Sequence, residues 1–133
     1  MLDGDEFEAR SARLLKQYGY RLIASQYRCK VGEIDLIAHD EHRLLFVEVR
    51  ARRHSSYGGA AASVNHAKQC KLQRCAALFL RSNPQWRHLP CRFDVIAWEP
   101  VRLAGEPVDL SAARGSAGAD GMQARWIQAA FLA

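Results

Sequence analysis

The stretch from Gly32 to Arg53 constrains the fold more than any other part of the chain. It reads Gly-Glu-Ile-Asp-Leu-Ile-Ala-His, then Asp-Glu-His-Arg, then Leu-Leu-Phe-Val-Glu-Val-Arg-Ala-Arg-Arg. Two apolar runs around a short polar link predict a β-hairpin. With Asp40 to Arg43 as the loop, His39 pairs with Leu44, Asp35 falls opposite Glu48, and Glu33 falls opposite Arg50. A tighter turn at Glu41-His42 gives the same register. Side chains alternate along a strand, so Glu33, Asp35, Glu48 and Arg50 share one face. Directly opposed residues have Cβ atoms roughly 4.5–5.5 Å apart. Two carboxylates that close repel, and one takes up a proton unless a cation sits between them. Magnesium is such a cation: it binds through one or two carboxylates and fills its other positions with water and phosphate oxygens. A solvated, chance carboxylate pair is the rival reading. It is disfavoured because Ile34, Leu36, Phe46 and Val47 imply that both faces of the hairpin are at least partly covered.

The 133 residues suit a single domain, 1–133, with a real core. No apolar run approaches the roughly 18 residues of a membrane span. Met-Leu-Asp-Gly-Asp-Glu at the start lacks the basic and apolar regions of a signal peptide, so a cytoplasmic location is expected. Cys29, Cys70, Cys75 and Cys91 form no Cys-x-x-Cys pair and no zinc-like spacing, and are expected as reduced core residues.

The net charge of +5 conceals a segregation. From Val49 to Phe93 there is no Asp or Glu, but there are nine cations: Arg50, Arg52, Arg53, Lys68, Lys71, Arg74, Arg81, Arg87 and Arg92. A basic block beside an acidic pocket suits a nucleic-acid partner, since cations hold the phosphate backbone and acids hold a metal.

Along the chain, Asp3 or Asp5 caps a first helix running to about Tyr18 and stopped at Gly19. Phe7, Leu14, Leu15 and Tyr18 form its apolar stripe, and Glu8 lies at the edge of that stripe. Spacing alone leaves Glu8 between a site carboxylate and an acid that suits a helix N-terminus. Tyr20–Arg28 reads as a strand, completing a three-strand meander with the hairpin. Residues 52–62 read as a loop, with Tyr57 and Gly58-Gly59, and without the Gly-Lys-Ser/Thr of a Walker phosphate loop. Ser63 or Asn65 starts a second helix ending near Arg81. Its stripe is Leu72, Cys75, Ala76, Phe79 and Leu80, with Lys71, Arg74 and Arg81 opposite and Lys68 at the margin. Cys91–Trp98 reads as a strand in which Asp94 is a solvent-side residue. Val101-Arg102-Leu103 reads as a short edge strand, 104–121 as a mobile loop, and 125–131 as a segment returning over the core. The order is that of an α/β layer fold with a mixed sheet.

Six separated motifs then resemble the YraN-like family of small bacterial proteins. They are Glu8 ahead of Gly19-Tyr20, Gly32-Glu33-Ile34-Asp35-Leu36-Ile37, Phe46-Val47-Glu48-Val49-Arg50, Gly58-Gly59, Lys68-Gln69 with Leu72, and Arg92-Phe93-Asp94-Val95-Ile96-Ala97. The resemblance implies a restriction-endonuclease-like αβββαβ core with a central mixed sheet flanked by helices. It also implies a nuclease site of the PD-(D/E)xK type, similar to that of Holliday-junction resolvases. It assigns Glu8, Asp35 and Glu48 as ligands of Mg2+ or Mn2+, and Arg50 as the residue at the position of that motif's lysine. Arginine keeps its charge and can stabilise a developing negative phosphorane, but it cannot act as a base.

The expected activity is metal-dependent endonucleolytic hydrolysis of DNA, branched or structured DNA included. Glu8, Asp35, Glu48 and Arg50 would form the catalytic set, and Arg52, Arg53, Lys68, Lys71 and Arg74 would contact the backbone. Resolvase analogy adds a homodimer. Two rivals use the same residues: a non-catalytic module that binds nucleic acid or protein, and an RNA-processing nuclease.

Overall fold

A computed structural model describes residues 4–52, 64–100, 112–114 and 121–131. The elements are α1 (Gly4–Gln17), β1 (Arg21–Cys29), β2 (Gly32–His39), β3 (Leu44–Ala51), α2 (His66–Ser82), a 3₁₀ turn (Pro84–Trp86), β4 (Cys91–Pro100), β5 (Ala112–Arg114) and β6 (Met122–Phe131). They build one six-stranded sheet in the order β1-β2-β3-β4-β6-β5. β3 and β4 run parallel, and the other neighbours are antiparallel. A parallel pair needs a crossover, and α2 supplies it. The αβββαβ core expected from the sequence is therefore present, with a mixed sheet between two helices.

Each helix forms because its apolar residues recur on one side. On α1, Phe7, Ser11, Leu14 and Leu15 are buried against Leu36, Ala38, Val47, Ile96, Trp98 and Trp126. Ser11 earns its place in this stripe by accepting a 2.8 Å hydrogen bond from Trp98 Nε1. Gly19, at φ 89°, ends the helix, where the Gly19 and Tyr20 amides donate to Lys16 and Leu15 carbonyls. On α2, Leu72, Cys75, Ala76 and Phe79 pack on the opposite sheet face with Ile37, Leu44, Phe46, Phe93 and Val95. Asn65 caps α2, accepting from the Lys68 amide at 3.0 Å. At the other end Asn83 Nδ2 donates to the Phe79 carbonyl, and Pro84 follows.

Four expectations change. The returning segment is a full strand: β6 pairs with β4 from Phe93↔Phe131 to Pro100↔Met122. Its buried Met122, Ala124 and Trp126 alternate with Gln123 and Arg125, a period of two that small residues make faint. β5 lies inside the stretch read as a loop, because Ala-Ala-Arg carries no alternation. Asp94 is fully buried rather than solvent-facing. Arg92 grips it through two 2.8 Å contacts, and Trp126 Nε1 and the Ala129 amide donate to it at 2.9 and 3.0 Å. Finally, Cys29 and Cys75 form a disulfide between the end of β1 and α2, with Cα atoms 6.0 Å apart. Only Cys70 and Cys91 are free thiols. Compartment alone predicts the reduced state, and no short-range pattern ties cysteines 46 residues apart. The proposed strand at 101–103, the 104–111 and 115–120 parts of the stretch read as a loop, and the Tyr57 to Gly59 segment lie outside the described residues.

Candidate active site

The β2–β3 hairpin has the register read from the sequence, with His39↔Leu44, Ala38↔Leu45, Ile37↔Phe46 and Leu36↔Val47. The loop closes because Asp40 Oδ1 accepts from the His42 and Arg43 amides at 2.8 and 2.9 Å. The ladder stops at Leu36↔Val47. One residue further, the Val49 amide donates to Asp35 Oδ2 at 2.8 Å, so a side chain takes the place of a backbone acceptor. Here β2 also loses its alternation. Ile34 packs on the α2 side, whereas Leu36, two residues on, packs on the α1 side. This twist brings Asp35 to the mouth between the parting strands.

Three carboxylates gather at that mouth. Oxygens of Glu8, Glu33 and Asp35 lie within 4.8 Å of one another, and all three residues are half-buried. Glu8 comes from the second turn of α1, at the edge of its buried stripe. Glu33 does not face Arg50 as the extended register predicted. It pairs instead with Arg28 across the β1–β2 ladder, with a 3.2 Å ion pair on the exposed side. Glu48 lies behind the cluster, with only 10% of its side chain exposed and Arg50 Nη2 3.4 Å away.

The charges at this site are poorly compensated. Burial, then a hydrogen bond with Asp35 and its negative charge, push Glu48 from 4.5 up to about 9, against the pull of Arg50 and Lys68. Burial and the charge of Asp35 raise Glu8 to about 7, opposed by a hydrogen bond from Gln26. Without a cation, therefore, Glu48 holds a proton at neutral pH and Glu8 is poised to take one. Hard, clustered carboxylate oxygens of this kind suit Mg2+, Mn2+ or Ca2+ and not a soft metal.

Arg50 shows the complementary imbalance. Its side chain is 17% exposed, and its 3.4 Å contact with Glu48 is long. Its buried Nε finds no hydrogen-bond acceptor among the described residues. A buried donor left unpaired is costly, and an incoming anion would satisfy it. Lys68, half-buried in the first turn of α2, lies in the field of Glu48 and Asp35. Burial first, then the neighbouring Arg50 and Arg52, lower its pKa against the pull of those two acids.

The structure thus brings together Glu8, Asp35, Glu48, Arg50 and Lys68. Lys68 belongs to the centre rather than to the outer platform. Lys71 and Arg74 are exposed on α2, and Lys71 rides over the β1–β2 turn, its Cβ 3.7 Å from where a side chain on Gly32 would begin. Arg52 is exposed at the end of β3, its amide bound to the Trp98 carbonyl. Arg53 lies outside the described residues. Two site residues escaped the sequence reading. Glu33 was placed on the right hairpin face but not among the ligands. Gln26 could be placed only once the β1–β2 register was known.

Residues 7–98 match the family described as "Uncharacterised protein family UPF0102". The chain belongs to the UPF0102 family. The matched span runs from the residue before Glu8 to Trp98, and so contains every candidate site residue. A UPF0102 protein of Pseudomonas syringae pv. tomato is 44% identical over 130 residues, covering 96% of this chain and 91% of its own. One from Pseudomonas entomophila is 44% identical over 105 residues, covering 79% of this chain and 85% of its own. One from Alcanivorax borkumensis is 46% identical over 97 residues, covering 73% and 78%. The restriction-endonuclease-like superfamily is consistent with this membership and with the αβββαβ core. No helix among the described residues is long and apolar enough to cross a membrane.

Proposed function

We propose that this UPF0102 protein is a Mg2+- or Mn2+-dependent endonuclease acting on DNA, with branched or structured DNA as its substrate class. The observation that carries the reading is the carboxylate cluster of Glu8, Glu33 and Asp35 beside a half-buried Arg50 whose Nε lacks an acceptor among the described residues.

Glu8, Glu33, Asp35 and Glu48 would hold the cation. When bound, a divalent ion supplies Lewis-acid charge for phosphodiester hydrolysis. The Val49 amide fixes Asp35, leaving its other oxygen for the ion. Glu48 would have to be deprotonated to serve as one of these ligands. Arg50 donates to a non-bridging oxygen of the scissile phosphate and, being permanently charged, neutralises charge without moving a proton. Lys68 adds a second cation on the same side. Arg52, Arg53, Lys71 and Arg74 position the backbone, contacts that fix register without reading sequence. A four-way junction presents two cleavage points, and a homodimer is the assembly that would serve both.

The test is cleavage of linear duplex, four-way DNA and matched RNA with Mg2+ or Mn2+. The wild type should cut four-way DNA, and the Asp35→Asn, Glu48→Gln double variant should lose at least about 10²–10³-fold. Equal rates for the two proteins would refute the hydrolase reading.

Arg50, in the place of the motif's lysine, favours a second reading: a module that grips nucleic acid without cutting it. Such a module, if it also lacks metal affinity, shows no Mg2+-dependent rise in melting temperature, whereas a metal centre does.

A further inference from the structure

Gln26 has the positive backbone angle φ 51° in the middle of the edge strand β1. That conformation is uncommon for any residue carrying a Cβ, and strained residues of this kind concentrate at functional sites. Its place in the sheet is informative. Ser25 pairs with Leu36 and Tyr27 pairs with Ile34, so Gln26 stands level with Asp35. Ser25 and Leu36 line a cleft against α1, while Tyr27 packs edge-on to Phe79 of α2. Residues two apart should share a face, yet Ser25 and Tyr27 lie on opposite ones. β1 therefore crosses over at Gln26 at the same level as β2 crosses over at Asp35.

The crossover directs the Gln26 amide to α1. Nε2 donates to Asp5 Oδ1 at 3.0 Å, and Gln26 lines one cleft with Asp5 and Glu8. Asp5 and Glu8 are three residues apart and neighbours on the helix. The cleft they share with Gln26 and Ser25 has a volume of about 330 Å³ and opens beside the carboxylate cluster. Glu8 is the only member of that cluster on α1, while Glu33 and Asp35 both ride on β2. Something must hold the helix-borne acid in register with the strand-borne pair, and Gln26 is the side chain that reaches across.

We infer that Gln26 is a positioning residue, held in a strained conformation so that its amide, bonded to Asp5, holds the start of α1 and thereby sets Glu8 against Glu33 and Asp35. The inference rests on the metal-centre reading above. Partners that orient ligands typically change metal affinity by 10–100-fold when removed.

The test measures Mn2+ binding by the paramagnetic signal of the free ion, and melting temperature without metal, for the wild type, Gln26→Met and Gln26→Gly. Methionine keeps length and backbone cost but removes the amide. Glycine removes the amide and accepts positive φ freely. Both variants should bind Mn2+ about ten-fold more weakly. Gln26→Gly alone should melt above the wild type, so that affinity and stability move in opposite directions. Wild-type affinity in Gln26→Met overturns the assignment while leaving the metal centre standing. A Gln26→Gly variant that melts below the wild type overturns the claim that the strain is held for the site. A wild type that binds no Mn2+ removes the metal centre itself, and this inference with it.

Discussion

Asp94 and Glu48 sit on neighbouring strands, one residue out of step in the parallel β3–β4 pair, and both are buried. Their surroundings are opposite. Asp94 has a bidentate guanidinium, an indole and a backbone amide, four short contacts between 2.8 and 3.0 Å. Glu48 has one long contact with Arg50 and a second carboxylate as its neighbour. Burial of an acid thus says little about its role. The supply of donors separates an acid that knits strands together from one with few donors around it among the described residues.

The sharpest way to break this comparison is to remove each acid. Asp94→Ala leaves Arg92, Trp126 and the Ala129 amide without their acceptor, and should cost about 3–5 kcal/mol in urea unfolding. Glu48→Gln should not cost stability in the absence of metal, because glutamine is neutral and close in shape to the protonated acid held there. The same change should abolish Mg2+-dependent cleavage and the Mn2+-induced rise in melting temperature. If Glu48→Gln destabilises the chain as Asp94→Ala does, Glu48 is a structural acid and the contrast fails.

Arg50 and Lys68 come next. Arg50→Met deletes a guanidinium whose buried Nε has no acceptor among the described residues, so folding should be nearly unaffected while cleavage drops about 10²-fold. Lys68→Met should lower cleavage by about ten-fold, a smaller effect because its pull on Glu48 is weaker than that of Arg50. Single-turnover rates on one DNA substrate decide both.

The last contrast is in pH. Glu8 and Glu48 have folded pKa values raised from 4.5 to about 7 and about 9. The folded chain therefore binds protons more tightly than the unfolded one. Their contribution to metal-free stability is complete below about pH 4.5 and is lost as pH rises through about 7 and about 9. Mn2+ affinity should climb over the same interval, because the ion and the protons compete for the same oxygens. Urea melts and Mn2+ titrations across that range check both slopes. Matching slopes in Glu48→Gln and the wild type would show that Glu48 does not titrate there.

The hairpin register was legible because a polar loop fixes the pairing of two apolar runs, and with it the meeting of Asp35 and Glu48. The twist at Asp35 was not. Ile34 and Leu36 are both apolar, and a strand covered on both faces has no visible alternation to lose. Glu33 leaves the Arg50 register for the same reason, since the ladder parts one pair too early. Asp94 was misread because two of its donors come from β6, 32 and 35 residues away. The basic block announced its members but not their division. Only the packing of α2 on the sheet separates Lys68, inside the acid field, from Lys71 and Arg74 on the surface.

The reach of Asp94 into β6 also orders events at the ribosome. β4 is made well before Trp126 and Ala129, so a nascent chain that has produced only β4 carries a buried-type carboxylate with half its donors missing. The sheet also lacks Trp126, its largest fully buried side chain, at that stage. All residues of the acidic centre have then been synthesised, but the layer behind them is incomplete. Final consolidation therefore waits for β6, which pairs with β4 and supplies the missing donors.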